Sequence, residues 1–215
     1  MSMPALILFG ARKGAGLAIA QAARAAGWAV TAVVRPGADA SALVAAGCEV
    51  RTADALDREA VTAAFAGLPE DVRVATTLGG QDISVDDQGN RNVIDATKAH
   101  GAPGLLLVSS LGAGDSREYA SPRLLAAIGA VLEAKTRAEE HLRASGLAFA
   151  IVRPGGLVDA PLSGTGQLVR MQDVHGFIAR EELARLVFGL LADNRLLGQT
   201  LAAIDPSCPP PARYA

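Results

Sequence analysis

Short apolar runs alternate with longer amphipathic ones along most of this chain. The first apolar run is ALILF, from Ala5 to Phe9, followed by a glycine-rich turn. Leu17 to Ala26 then carries no internal Gly or Pro, stops at Gly27, and gives way to a second apolar run that closes on Arg35. Further strand-like runs fall near Glu49 to Thr52, Val72 to Thr77, Leu105 to Ser109 and Ala148 to Val152. Helices are predicted from about Asp57 to Ala66, Gln88 to His100, Pro122 to Ala144 and Arg180 to Ala192, each ending near Gly, Pro or Asn signals. Such alternation predicts an α/β fold, a doubly wound parallel sheet of strand order 3-2-1-4-5-6, with room for a seventh strand and helices on both faces.

Between the first strand and the first helix, Gly10, Gly14 and Gly16 stand in a G-x-x-x-G-x-G spacing. Glycine spacings also arise in purely structural turns. Here the strand, turn and helix come in the order of a Rossmann-type dinucleotide site, where the chain turns sharply and a pyrophosphate approaches the helix N-terminus. NAD-binding units carry an Asp or Glu about 20 residues on, which accepts hydrogen bonds from the adenosine ribose. This chain has Arg35 at the end of strand two, and Arg12 and Lys13 add two cations inside the turn. Three basic groups converging on one phosphate predict NADP(H) as the cofactor.

In doubly wound sheets, ligands bind beyond the carboxyl ends of the strands. The segments there are GARKG, Arg35-Pro36, Asp54, LGGQD, SSLGAGD and RPGGLVDAPLSGTG. The last, Arg153 to Gly166, is long for a connection in a compact domain and reads as part of a substrate loop or lid spanning 153–176. We expect one domain over residues 1–205 and a loosely ordered tail over 206–215, where Pro209, Pro210 and Pro211 are consecutive.

Composition narrows the function classes. Half of the 215 residues are hydrophobic, enough for a sizeable core. A formal net charge of -2 with dispersed basic residues suggests neither a nucleic-acid partner nor an anionic membrane surface. No apolar run is long enough to span a bilayer, and MSMPALILFG lacks the basic n-region of a signal peptide, so a cytoplasmic location is expected. Cys48 and Cys208 fit reduced thiols better than a disulfide. His100, His141 and His175 form no metal-ligand spacing, so no metal site is expected. The apolar stripe Leu124, Ile128, Val131 and Leu132 faces either the sheet or a partner helix, so a monomer or a weak homodimer is expected.

Taken together, GARKGAG, VVRP, NVIDATKAHG, LLLVSSLGAGDS, EAKTRAEEHLRASGL, AIVRPGGL and IAREELARLVFGLL resemble the atypical short-chain dehydrogenase/reductases of the NmrA-like and biliverdin/flavin-reductase-like branch, in order and spacing over nearly the whole chain. The opening loop departs from that branch's usual G-A-T-G-x-x-G, because Lys13 stands at its second glycine. It looks instead like the loop of short-chain dehydrogenases with a full tetrad, where a basic residue before the middle glycine accompanies NADP use. The resemblance implies that Gly10, Arg12, Lys13, Gly14, Ala15 and Gly16 form the phosphate loop. It further implies that Asp54 meets the adenine, Leu78 and Gly79 pass the adenosine ribose, and Pro154, Gly155 and Leu157 flank the nicotinamide. From the residues alone, Asp54 is equally a helix cap or a solvated carboxylate.

Short-chain dehydrogenases supply Ser, Tyr and Lys for hydride transfer. The resemblance places Ser110 at the serine position, with Ser109 beside it among the cofactor-binding residues, and Lys135 at the lysine position, where it would hold the nicotinamide ribose. A solvated lysine in the charged stretch Glu133 to Glu140 is the alternative. The tyrosine slot four residues earlier holds Val131, and Tyr119 and Tyr214 are the two tyrosines of the chain. Without that phenol, reduction suits a small conjugated or carbonyl substrate, such as a flavin, quinone or linear tetrapyrrole, that delocalises the incoming electron pair. The readings in order are an NADPH-dependent reductase, a non-catalytic NADP(H)-binding redox sensor, and an epimerase or dehydratase.

Overall fold

The computed structural model describes residues 3–80, 82–193 and 196–211. Five parallel strands follow the sequence pattern: β1 (Ala5–Phe9), β2 (Ala29–Val34), β3 (Glu49–Thr52), β4 (Arg73–Thr76) and β5 (Gly104–Val108). β6 (Ala148–Pro154) lies beside β5, so the order is the expected 3-2-1-4-5-6. The anticipated seventh strand is β10 (Gln199–Ile204), parallel to β6. β8 (Gln167–Val169) then pairs antiparallel to β10 and closes that edge.

Helices cover both faces, which is why the central strands β1 and β5 read as unbroken apolar runs, whereas the edge strand β3 carries Glu49 and Arg51. On one face, α1 (Gly14–Ala25), α2 (Ser41–Ala45) and α6 (Arg180–Ala192) bury Ile19, Leu43, Leu183 and Val187 against Leu6, Leu8 and Val30. Trp28 meets Phe188 edge to face, with ring centroids 5.3 Å apart. On the other face, α3 (Arg58–Ala63), α4 (Asn90–His100) and α5 (Pro122–Ala144) bury Val61, Ile94 and Leu142 against Ile7, Phe9 and Leu105.

The ends of α5 and α6 match the sequence bounds because their signals are local. Ser121 accepts from the Leu124 amide at 3.2 Å and Pro122 occupies the first turn of α5. Within α5, however, Ile128 has non-helical φ/ψ of −138° and 18°, a break that an unbroken amphipathic pattern does not announce. Leu132 of the stripe is fully buried, Leu124 and Val131 are half-buried, and Ile128 is exposed, so most of the stripe faces inward.

The expected helix from Gln88 starts differently. Residues Val85–Gly89 form a single π turn ahead of α4. Thr76 donates to Asn90 Oδ1 at 2.8 Å, Asn90 Nδ2 donates to the Asp86 carbonyl at 2.9 Å, and Asn92 Nδ2 donates to the Ala55 carbonyl at 2.8 Å. These buried bonds pin the start of α4 to β4 and to the β3–α3 connection, and the wider turn takes up the difference. α2 is also present where the sequence signals no helix.

The long connection after Val152 is more structured than its Gly and Pro content predicts. β6 runs on through Arg153 and Pro154, both buried, because β10 pairs with them. β7 (Gly156–Val158) and β9 (Phe177–Ala179) then form a separate two-stranded parallel sheet. The stretch between β7 and β8 is moored rather than free. Glu182 accepts from the Gly164 and Gly166 amides at 3.0 and 2.8 Å, and Asp205 accepts from Ser163 at 2.6 Å and Thr165 at 2.8 Å. In the tail, Ser207 and Cys208 donate amide bonds back to Asp205. Residues 212–215, with Tyr214 and the end of the expected loose tail, lie outside the described residues.

Candidate functional site

The carboxyl ends of β1, β4, β5 and β6 bring the sequence-selected loops to one edge of the sheet. Gly10 has φ +80°, and a Cβ there would lie 2.7 Å from Thr77 Oγ1 and 2.8 Å from the Thr77 carbonyl carbon. A Cβ on Gly16 would lie 2.3 Å from the Gly10 carbonyl oxygen. Only glycine fits either position, and the result is a turn pressed flat between β1 and β4. Thr77, which sequence reading passed over, holds it there by donating to the Gly10 carbonyl at 3.1 Å.

That flat turn leads into α1, whose amino terminus has no side-chain cap and no acidic residue in its first turn. The leading amides and the positive end of the helix dipole are therefore left to an outside anion. Ala15 and Gly16 are buried behind the turn, whereas Lys13 is exposed and Arg12 half-buried. Arg35 is exposed just beyond β2. Asp39, four residues further, has its carboxyl held below the usual range by the Ser41 amide and hydroxyl, with the positive charge of Arg12 a smaller cause. The bare turn, the uncapped helix and these cations fit the phosphates of a dinucleotide.

Asp54 is exposed beyond β3, and its Oδ1 accepts from the Leu56 amide at 3.0 Å. The cap of α3 is Asp57, not Asp54. Leu78 is half-buried and Gly79 exposed beyond β4. A Cβ on Gly79 would lie 2.7 Å from Asp86 Oδ1 and 3.2 Å from Lys135 Nζ. Behind that slot the Lys135 ammonium is 2.8 Å from Asp86 Oδ1 and donates to the Leu78 carbonyl at 3.4 Å. The solvated-lysine alternative is thereby set aside, since the Lys135 side chain is only 14% exposed. Asp86 reaches it because the π turn rotates the carboxylate inward, a placement with no signal in the sequence.

Ser109 and Ser110 part company. Ser110 is half-buried and donates to the Leu111 carbonyl at 2.9 Å, a local bond beyond the end of β5. Ser109 is buried and donates to Glu139 Oε1 at 2.6 Å. Its hydroxyl is therefore committed to that carboxylate, because a fully buried carboxylate needs every donor in reach. Glu139 also receives Arg153 through Nε at 2.9 Å and Nη2 at 2.6 Å. Arg153, itself 2% exposed, further pairs with Asp115. The i, i+4 spacing of Lys135 and Glu139 was the one readable hint that Glu139 points inward.

Beside this network Pro154 is buried, the Gly155 amide donates to the Ala203 carbonyl at 2.9 Å, and Leu157 packs on the core from β7. A Cβ on Gly155 would lie 2.4 Å from the Gly176 carbonyl oxygen, so β6 and β9 approach closely here. Nearby, Met171 and Tyr119 are 55% and 42% exposed. Gln172 ties their segments together by donating to Asp115 at 3.0 Å. The phenol of Tyr119 is pushed up chiefly by its hydrogen bond to the Glu118 carboxylate, which works against its use as an acid. Val131 occupies α5 one turn before Lys135, and no phenol takes its place on that helix. Among the described residues no group of three His, Cys, Asp or Glu side chains is arranged to hold a metal, and no helix is long and apolar enough to cross a membrane.

A doubly wound sheet with a glycine loop before an uncapped α1 defines a dinucleotide-binding Rossmann protein of the atypical short-chain dehydrogenase/reductase type. The chain belongs to the NAD(P)H-binding family, which it matches over residues 10–194. A Bacillus subtilis (strain 168) protein described as the uncharacterized sugar epimerase YhfK is 32% identical over 157 residues, covering 66% of this chain and 70% of that protein. Sanguinarine reductase from Eschscholzia californica is 34% identical over 106 residues, 46% of this chain and 37% of the plant enzyme. Among solved structures, ChuY from Escherichia coli O157:H7, an anaerobillin reductase, superposes with a TM-score of 0.89 at 37% identity, over 96% of this chain and 99% of that one.

Proposed function

We propose that the protein is an NADPH-dependent reductase acting on a small conjugated or carbonyl substrate, such as a flavin, a quinone or a linear tetrapyrrole. The observation that carries this reading is the juxtaposition, along one sheet edge, of the uncapped α1 behind the Gly10–Gly16 turn and the Asp86-held Lys135 under Gly79. Likeness to ChuY over the full chain and to sanguinarine reductase over part of it supports reduction as the chemistry.

In this reading, Gly10, Gly14, Ala15 and Gly16 admit the pyrophosphate, and Arg12, Lys13 and Arg35 take the 2′-phosphate. Asp54 meets the adenine, and Leu78 and Gly79 line the adenosine ribose. Lys135, fixed by Asp86, hydrogen-bonds the nicotinamide ribose, and Pro154, Gly155 and Leu157 flank the ring. When bound, the reduced cofactor supplies a hydride. The matching proton comes from Ser110 or from water, since Val131 leaves no phenol on α5.

A substrate that spreads the incoming electron pair over a conjugated system needs no strong acid beside it, which is why this class is favoured. Val131 equally suits the second reading, a sensor that binds NADP(H) and turns nothing over. NADPH oxidation against a panel of flavins, quinones, linear tetrapyrroles and aldehydes separates the two. The cell interior, a monomer or weak homodimer, and a small-molecule partner complete the proposal.

A further inference from the structure

We infer that Arg180 is a pyrophosphate ligand of the dinucleotide and that Asp159 competes with the cofactor for it. The inference rests on the dinucleotide lying over the Gly10–Gly16 turn, as proposed above. Its own support comes from a different part of the chain.

Arg180 is the first residue of α6, the helix that packs along α1 on the same face of the sheet. Its side chain crosses to the amino end of α1. A Cβ built on Gly14 would lie 3.4 Å from Arg180 Nε and 3.5 Å from Cδ. Gly14 has φ +59° and opens α1, so the guanidinium lies against the residue that bares the helix amides. A group bound to those amides comes within reach of Arg180.

The present partner of Arg180 is weakly committed. Nη1 donates to Asp159 Oδ1 at 2.7 Å, with Asp159 89% and Arg180 31% exposed. So exposed an ion pair contributes little and is readily exchanged. A diphosphate offers more charge and more acceptor oxygens than a carboxylate, and the planar fork of a guanidinium binds two of them at once. Dinucleotide binding therefore moves Arg180 from Asp159 to the pyrophosphate. Asp159 follows β7 in the segment expected to shape the substrate site, so the exchange links cofactor occupancy to that segment.

Two consequences separate this from a structural ion pair. The pyrophosphate is common to NADPH and NADH, so Arg180 serves both equally, unlike Arg35. And Asp159, as a competitor, opposes binding rather than supporting it.

The test is the dissociation constant of NADPH and of NADH, by fluorescence titration of the full chain, for wild type, Arg180→Met, Asp159→Asn and the double variant. Arg180→Met should weaken both cofactors by the same factor, about tenfold, the worth of a charged hydrogen-bonded contact. Asp159→Asn should tighten both, and should change nothing once Arg180 is gone. Asp159 is exposed, so that variant folds and its sign stands alone. Unchanged affinities in Arg180→Met, loss confined to NADPH, or weaker binding in Asp159→Asn would each overturn the inference. A wild-type protein that binds neither dinucleotide would instead overturn the site itself, and the inference with it.

Discussion

The Lys135 ammonium lies 2.8 Å from Oδ1 of Asp86, a carboxylate whose side chain is 1% exposed. Neither oxygen of Asp86 has another hydrogen-bond donor among the described residues. The two charges therefore depend on each other, and Lys135 is held at one place beneath the Gly79 slot.

Removing the lysine alone should be severe. Lys135→Met leaves Asp86 buried without its counter-ion and should cost about 3 kcal/mol of stability, measured by urea denaturation. Adding Asp86→Asn should restore much of that stability but not the NADPH affinity, because the ribose contact stays lost. Recovery of both properties together would mean that Lys135 serves only the fold.

Cofactor choice rests on Arg35. Arg35→Asp should reverse the preference between NADPH and NADH, by about a hundredfold in the ratio of dissociation constants, since a cation becomes an anion beside the 2′-phosphate. An unchanged ratio would remove Arg35 from the phosphate site.

Arg153 and Glu139 form a buried pair whose value is structural. Arg153→Met should destabilise the protein by about 2–3 kcal/mol, because the buried Glu139 is left with Arg143 at 3.1 Å as its remaining counter-ion and Ser109 as its remaining neutral donor. The double replacement Arg153→Met with Glu139→Met should be far less damaging. Thermal melts of the three proteins check this.

How much of this was legible in the sequence follows the range of the forces involved. Helices α5 and α6 were readable to the residue since Ser121, Pro122 and the apolar spacing act locally. Strands β1, β2, β5 and β6 were readable because burial makes most of their residues apolar, whereas β3, with Glu49, Arg51 and Thr52, was placed by the alternation of elements around it. β7 and β9 were not, since three residues each acquire strand geometry only by pairing across an intervening segment. The site divides in the same way. Gly10, Gly14, Gly16 and Arg35 stand out by their spacing and Lys135 through the family resemblance, whereas Asp86 lies on a π turn that no sequence signal announces. The bond from Ser109 to Glu139 was not readable, because nothing near Ser109 in the chain announces that carboxylate.

Asp205 gives the fold an acid-sensitive mooring. Its carboxyl is held down to about 2, chiefly by the Ser163 hydroxyl and also by Thr165 and Ser207, against an ordinary value of 3.8. A depressed folded-state value adds stability that is fully present above 3.8 and fades as the pH falls toward 2. Asp205→Asn should therefore be less stable than wild type at neutral pH, and the gap should close between pH 3.8 and 2. Denaturant titrations across that range, on a background that remains folded, read the difference directly. A gap independent of pH would contradict the assignment.

The central claim is that the bound dinucleotide is used for reduction, and deuterium transfer tests it most directly. NADPH labelled at C4 is mixed with the protein and, in turn, a flavin, a quinone, a linear tetrapyrrole and an aldehyde, while absorbance of the reduced nicotinamide is followed. The account predicts stoichiometric loss of that absorbance with at least one class. For a substrate whose reduced product carries a carbon-bound hydrogen, it also predicts the label in that product. Saturable NADPH binding with no oxidation by any of them would contradict it and leave the sensor reading in its place.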